Sequence, residues 1–465
     1  MPKSFLIENL RIESFANEGK CLARHEGKIV FVKGTLPGEI VNAKVIRNKK
    51  DWIEAEATEI LVPSFDRQNP FCRHFGYCGG CQWQHMKYET QLRYKEWSVA
   101  ETLQRLGKIF PKEALPIVGC EIDRGYRNKL EFTFAHREWQ ISNEWHNNPE
   151  KIKYPALGFH LPGAFDRVFD VKSCKLQPQL SDRIRLAVKE FTSENNYEYF
   201  HLKKQTRLMR NLMIRICTTG EVMVLVVFAV NDREKISALM EFLKKEFPEV
   251  TSLQYTINSK KNDTIYDLDI VTHSGNDFIF ERIGNLKFRI SAKSFFQTNT
   301  RQAEKLYACV KEFAALNGNE LIYDLYSGTG SIALFIADKC KKVIGIESID
   351  QAIEDAKVNA TLNNITNVSF HVADAAKLLN ENFYSEFGQP DVVITDPPRA
   401  GMHESVVKQL LELSPEKIIY VSCNVATQAR DLQMLSSKYS VEKIRPFDLF
   451  PQTQHIENVA LLHLQ

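Results

Sequence analysis

The chain has 465 residues, 44% hydrophobic and 25% charged, proportions that fit two to three folded domains. Lys+Arg total 60 against Asp+Glu 58, a formal net charge of +2, which excludes a strongly basic, histone-like binder and still allows a local basic face.

The N-terminus, MPKSFLIENL, lacks the apolar core of a secretory leader, and the longest apolar run, Val222 to Val230, is too short to cross a bilayer as a helix. These features predict a soluble, cytoplasmic protein with no membrane partner, read as a monomer. In a reducing compartment, ten cysteines point to metal binding or catalysis rather than to a disulfide framework.

In chain order, residues 1–62 alternate apolar and polar side chains between Gly and Asn turns, as in Lys28-Ile29-Val30-Phe31-Val32, which predicts an OB-like β-barrel. Residues 63–290 form a central α+β domain. It opens with a cysteine loop at 70–85 and a charged helical stretch from Met86 to about Gly107. The helix is expected within 86–119, packing on the last domain. Residues 291–465 alternate strands and helices, the pattern of a parallel, doubly wound, Rossmann-like sheet, and the fold class is multidomain α/β.

In the loop, Cys72, Cys78 and Cys81 flank Gly79-Gly80, which allow a tight wrap around a metal centre. Cys174 is the best candidate for a fourth ligand. Four thiolates suit zinc and a [4Fe–4S] cluster equally well, and spacing does not separate them.

In the last domain, the strand Leu321–Leu325 runs into Tyr326-Ser327-Gly328-Thr329-Gly330, where glycines let the backbone approach a ligand. Glu347 ends the next strand, placed to hold ribose hydroxyls, and Asp374 follows the third, placed for an adenine edge. Asp396-Pro397-Pro398-Arg399 ends the fourth, its prolines making a rigid turn. Acids at successive strand ends suit a cationic sulfonium better than a pyrophosphate.

The fifth strand, Lys417–Ser422, delivers Cys423 ahead of a helix, whose first amides are expected to stabilise its thiolate. Glu457 is the candidate base and His455 a weaker one. Two basic stretches, Arg124–Lys129 and Lys203–Arg210, carry aromatic or apolar residues among the charges, as phosphate- and base-binding patches do.

Together, Phe295-Phe296-Gln297-Thr298-Asn299, Asp324-Leu325-Tyr326-Ser327-Gly328-Thr329-Gly330, Asp396-Pro397-Pro398-Arg399, Ser422-Cys423-Asn424 and His455-Ile456-Glu457 resemble, in content and order, the RNA 5-methyluridine methyltransferases. The likeness is to their 23S ribosomal-RNA branch and covers nearly the whole chain. It implies a TRAM barrel at 1–62 and S-adenosylmethionine held by Gln297, Tyr326, Glu347 and Asp396, with Asp374 added. It also implies Cys423 as the nucleophile that adds to uracil carbon 6, and Glu457 as the acceptor of the carbon-5 proton. At Cys72, Cys78, Cys81 and Cys174 it favours iron–sulfur over zinc. The implied partner is ribosomal RNA in a loop or unfolded region, since a stacked base cannot reach a thiol at a sheet edge.

The family commonly has Cys where this chain has Ser327, and Pro where it has Val425. Neither change removes a reacting atom. The alternatives are a transfer-RNA uracil methyltransferase and a metal-stapled RNA-binding protein without activity. A radical-type methylthiotransferase is disfavoured by the Rossmann-like half. An amino-group methyltransferase is disfavoured by Arg399 in place of a stacking aromatic.

Overall fold

The computed structural model describes residues 5–16, 19–139, 155–378 and 381–465. Leu6–Phe15, Cys21–His25, Lys28–Lys33, Ile40–Asn48 and Trp52–Val62 close into a five-stranded barrel. Period-two alternation, shifted by a bulge between Ile7 and Leu10, sends Ile7, Leu10, Ile12, Val30, Val32, Val41 and Val45 inward, and closure leaves no free strand edge.

The central unit is a seven-stranded sheet. Its order is Val271–Gly275, Ser252–Ile257, Val222–Phe228, Met209–Ile216, Lys129–Ala135, Ala156–Leu161 and Ala164–Asp170. Val222–Phe228 is buried on both faces, which accounts for its unbroken apolar run. Val222, Val224, Val226 and Phe228 meet residues such as Ile184 and Val188 of the helix Gln179–Glu194 and Ile236 and Leu239 of the helix Arg233–Glu246. Met223, Leu225 and Val227 point the other way, into a core that also contains Ile322, Val392 and Ile419 of the C-terminal sheet. The two sheets are therefore joined by a shared apolar core.

The helix Tyr88–Thr102 continues as a π-helical turn, Leu103–Gly107. The helical stretch therefore ends at Gly107, as expected from its charged pattern, and does not extend to 119. Lys108 is left-handed at φ 53°, Pro111 follows, and Glu113–Ala114 instead adds a short strand to the edge of the C-terminal sheet, parallel to Tyr439–Phe447. Proline lacks an amide donor and disfavours helical geometry in the residue before it, so the helix cannot run on. Val99 and Leu103 enter the core of the last domain beside Val425, Ala429 and Leu432.

The C-terminal sheet has the order Val368–Val372, Lys342–Glu347, Leu321–Leu325, Val392–Thr395, Lys417–Ser422, Glu457–Leu464, Tyr439–Phe447 and Glu113–Ala114. The first five strands are parallel, so their carboxyl ends share one edge. Among the described residues, no helix is long and apolar enough to cross a membrane.

Candidate active site

At the shared edge, the turn after Leu321–Leu325 is held open by backbone geometry. Tyr326 has φ 63° and Gly330 φ 77°, and a Cβ at Gly330 would lie 2.6 Å from the Phe370 ring, so only glycine fits there. The Gly328 amide donates to Glu347 Oε2 at 3.2 Å, and Glu347 Oε1 accepts from the Ser348 and Ile349 amides at 2.7 and 3.1 Å. The glycine turn is thereby tied to the neighbouring strand end. Asp374 is exposed and accepts from the Ala376 amide at 3.0 Å. Burial, together with the charges of Asp374, Asp431 and Glu347, pushes the Tyr326 phenol up to about 12.

Asp324 and Asp396 follow on adjacent strands. Burial pushes Asp396 up to about 7, and burial with the charges of Asp396 and Glu347 pushes Asp324 up to about 8. Asp324 Oδ2 accepts from the Ala333 amide at 3.2 Å, while its Oδ1, Ser327 Oγ and Thr395 Oγ1 are buried without a partner. Desolvated carboxylates and unfilled acceptors fit a ligand that is both cationic and a hydrogen-bond donor. Gln297 is half-buried. Its carbonyl accepts from Asn128 Nδ2 at 2.9 Å, and its side chain is not hydrogen-bonded to the strand-end acids.

Lys417–Ser422 pairs antiparallel with Glu457–Leu464, and Ser422 opposite Asn458 is the last pair. Cys423 and Glu457 are the next residues along from that pair, with Cys423 half-buried and Glu457 only 5% exposed. Asn424 caps the helix Val425–Leu435, its Oδ1 accepting from the Ala426 amide at 3.1 Å. This cap secures the helix start without a proline at 425. Asn424 Nδ2 and Thr427 Oγ1 both donate to the Arg399 carbonyl, at 2.9 and 3.3 Å, locking the Asp396–Arg399 turn against the cysteine turn. Arg399 Nη2 lies 3.2 Å from His455 Nδ1.

The expected thiolate stabilisation is not found in the ligand-free protein. Burial, then the charges of Glu457 and Asp396, push the Cys423 thiol up to about 11, with Arg399 opposing them. Two facing carboxylates and desolvation outweigh the pull of a short helix terminus. Burial and Asp396 likewise raise Glu457 well above the usual carboxylate range, with Arg399 opposing. His455 is pushed down to about 4 by burial and by Arg399, which makes it a feeble base. The sequence reading missed Tyr307, whose hydroxyl lies 2.9 Å from Ser331 Oγ and whose phenol is raised by burial and by Asp396, Asp324 and Glu457. Nothing local in its helix marks it.

The four expected ligand cysteines, Cys72, Cys78, Cys81 and Cys174, line one cavity of about 210 Å³ with Leu130, Phe159, Val171 and Leu176. All four thiols are free. The Cys72 amide donates to Gln84 Oε1 at 3.0 Å, and the Cys174 amide donates to both Asp182 oxygens at 3.1 and 2.9 Å. Gly79, at φ 73°, stands so close to Pro162 that a Cβ would lie 2.4 Å from its ring. Among the described residues, no three of His, Cys, Asp and Glu are gathered tightly enough to hold a single metal ion.

The basic stretches divide. Arg210 is 2% exposed and donates to the Asn258, Lys260 and Asn262 carbonyls at 2.7, 2.6 and 2.7 Å, so it holds a loop and cannot meet a phosphate. Lys203 pairs with Asp166 at the surface. In the other stretch, Arg124 covers the Phe71 ring and Tyr126 donates to the Pro451 carbonyl at 3.1 Å.

Residues 199–465 match the family described as tRNA (Uracil-5-)-methyltransferase, and residues 7–58 match the TRAM domain. An uncharacterized RNA methyltransferase of Bacteroides thetaiotaomicron is 47% identical, over 97% of this chain and 100% of that protein. One from Porphyromonas gingivalis is also 47% identical, over 97% and 99%. The crystal structure of the Pyrococcus abyssi tRNA (uracil-54, C5)-methyltransferase with S-adenosyl-L-homocysteine superposes with a TM-score of 0.74 at 28% identity. It covers 97% of this chain and 99% of that one.

Proposed function

The chain belongs to the tRNA (Uracil-5-)-methyltransferase family, as an S-adenosylmethionine-dependent RNA methyltransferase with a TRAM domain, and on that footing we propose that it methylates carbon 5 of a uridine in RNA through a covalent adduct on Cys423. The observation that carries this reading is the pairing of a thiol and a buried carboxylate at the ligand edge of the sheet, Cys423 beside Glu457.

S-adenosylmethionine, when bound, supplies an electrophilic methyl group. Glu347, Asp374 and Asp396 are the residues that would hold it, with Tyr326 in the glycine turn and Gln297 as proposed contacts. The acidic, partly unpartnered lining suits its two positive centres. Cys423 gives its sulfur to uracil carbon 6, and the carbon 5–carbon 6 electron pair becomes an enolate. Carbon 5 then forms its bond to the methyl carbon as the methyl–sulfonium bond breaks, that electron pair leaving with the neutral thioether. Glu457 accepts the carbon-5 proton, the double bond re-forms, and the carbon–sulfur bond breaks to return the thiolate. Arg399 opposes the raised values of both Cys423 and Glu457 and so favours the anionic form of each.

Cys72, Cys78, Cys81 and Cys174 are proposed to hold a [4Fe–4S] cluster. One zinc ion needs its four sulfurs about 2.3 Å from one point. The four thiols line a common cavity, as either centre requires, and the likeness of the motif set to the ribosomal-RNA branch is what favours iron–sulfur. The proposed substrate is ribosomal RNA, supported by the likeness of the motif set to that branch. A transfer-RNA substrate is the second reading, favoured by the solved relative, whose target is a tRNA uracil.

In the test, Cys423→Ala abolishes methyl transfer and keeps cofactor binding, and Glu457→Gln traps a protein–RNA adduct on a denaturing gel. Full activity in Cys423→Ala would sink the mechanism. Mapping 5-methyluridine across ribosomal and transfer RNA from a strain lacking the gene separates the two substrates.

A further inference from the structure

The segment between Tyr439–Phe447 and Glu457–Leu464 carries His455 and runs into Glu457. It is held largely from outside its own domain. The hub is Gln452, fully buried and left-handed at φ 68°. Its carbonyl accepts from the amides of Gln82 and Trp83 at 2.9 and 3.1 Å, both just past Cys81. Its amide donates to Gln91 Oε1 and its Oε1 accepts from Gln91 Nε2, each at 3.0 Å, a reciprocal pair with the helix Tyr88–Thr102. Its Nε2 donates to Asp123 Oδ2 at 2.8 Å. Gln91 Nε2 also donates to the Trp83 and Met86 carbonyls at 3.1 and 3.0 Å. A non-glycine residue keeps a left-handed backbone only where its surroundings enforce it, and here every polar group of Gln452 is engaged.

We propose that Gln452 is a positioning residue for the proton-removal step, and that through it the end of the cysteine loop and the helix Tyr88–Thr102 set where the Glu457 carboxylate stands. The inference rests on the reading of Glu457 as the base. On its C-terminal side Glu457 is fixed by the sheet, through Asn458 opposite Ser422. On its other side Glu457 pairs with Phe447, and the loop 448–456 that joins these two strands and leads into Glu457 is the part that Gln452 anchors. A base must lie within hydrogen-bond reach of its proton, and small misplacements cost much rate.

Two variants of the full chain test this. Gln452→Gly tolerates the left-handed backbone and removes the side-chain contacts. Gln91→Ala removes the partner without touching the loop. Each is given S-adenosylmethionine and total RNA from a strain lacking the gene, beside wild type and Glu457→Gln. In both variants turnover falls about tenfold or more, KM for S-adenosylmethionine stays within about twofold, and a slow-migrating protein–RNA adduct accumulates as in Glu457→Gln. Wild-type turnover without adduct, or lost turnover without adduct, overturns the proposal. If those outcomes occur while Glu457→Gln still traps adduct, the base reading stands alone. Absence of adduct in Glu457→Gln overturns both.

Discussion

Cys423 and Glu457 each lie one residue beyond the last pair, Ser422 and Asn458, of two antiparallel strands, near enough for the charge of Glu457 to act on the Cys423 thiol. Burial raises the Cys423 thiol, and the nearby charge of Glu457 raises it further, because two anions side by side are costly where water is scarce.

The thiol consequence is measurable by alkylation. With Cys423 pushed up to about 11, its thiolate is scarce at neutral pH. Iodoacetamide modification of Cys423 in the ligand-free protein should rise about tenfold per pH unit through the alkaline range until it nears that value. Arg399→Ala removes the opposing cation and slows the reaction at any given pH. A rate already at its plateau by pH 8, read by peptide mass spectrometry, would contradict the placement of the carboxylates.

The strand-end acids make stability depend on pH. Asp324 and Asp396 are raised to about 8 and about 7, so between the usual carboxylate range and those values the folded protein holds protons that the unfolded chain has released. Their contribution is fully present at low pH and is lost as pH rises through the folded values. The melting temperature of the ligand-free protein should fall between pH 5 and 8, more gently in Asp396→Asn. S-adenosylmethionine should raise it more at pH 8 than at pH 6. A melting curve insensitive to Asp396→Asn across that range would refute the coupling.

The cysteine cavity predicts a coloured protein. Anaerobically purified enzyme should absorb broadly in the visible and contain iron, and Cys78→Ser or Cys174→Ser should lose both. Colourless protein rich in zinc would assign the site to zinc instead.

Lys95 and Asp448, both fully buried, form an ion pair at 2.6 Å that joins the helix Tyr88–Thr102 to the loop before Glu457. Tyr88 donates to the other Asp448 oxygen at 2.9 Å. Lys95→Met leaves the carboxylate uncompensated and should cost about 3–5 kcal/mol of stability by denaturant unfolding. Lys95→Met combined with Asp448→Leu should recover part of that loss, since no buried charge is then left alone. Equal destabilisation in the single and double variants would mean that the pair's other hydrogen bonds dominate.

Strand periodicity and punctuation alone determined that Tyr326, Glu347, Asp374, Asp396 and Cys423 lie at one edge, because a parallel doubly wound sheet brings every strand's carboxyl end to the same side. The barrel was legible for a similar reason: period-two alternation is a local property. Only the tertiary structure decided that Glu457 lies near Cys423, that Cys174 shares a cavity with a loop nearly a hundred residues earlier, and that Gln91 and Lys95 hold the loop before Glu457. It also decided that Arg210 is buried and that the Cys423 thiol is raised rather than lowered. Those outcomes depend on burial and on charges brought near by long-range packing, which no local pattern of residues encodes.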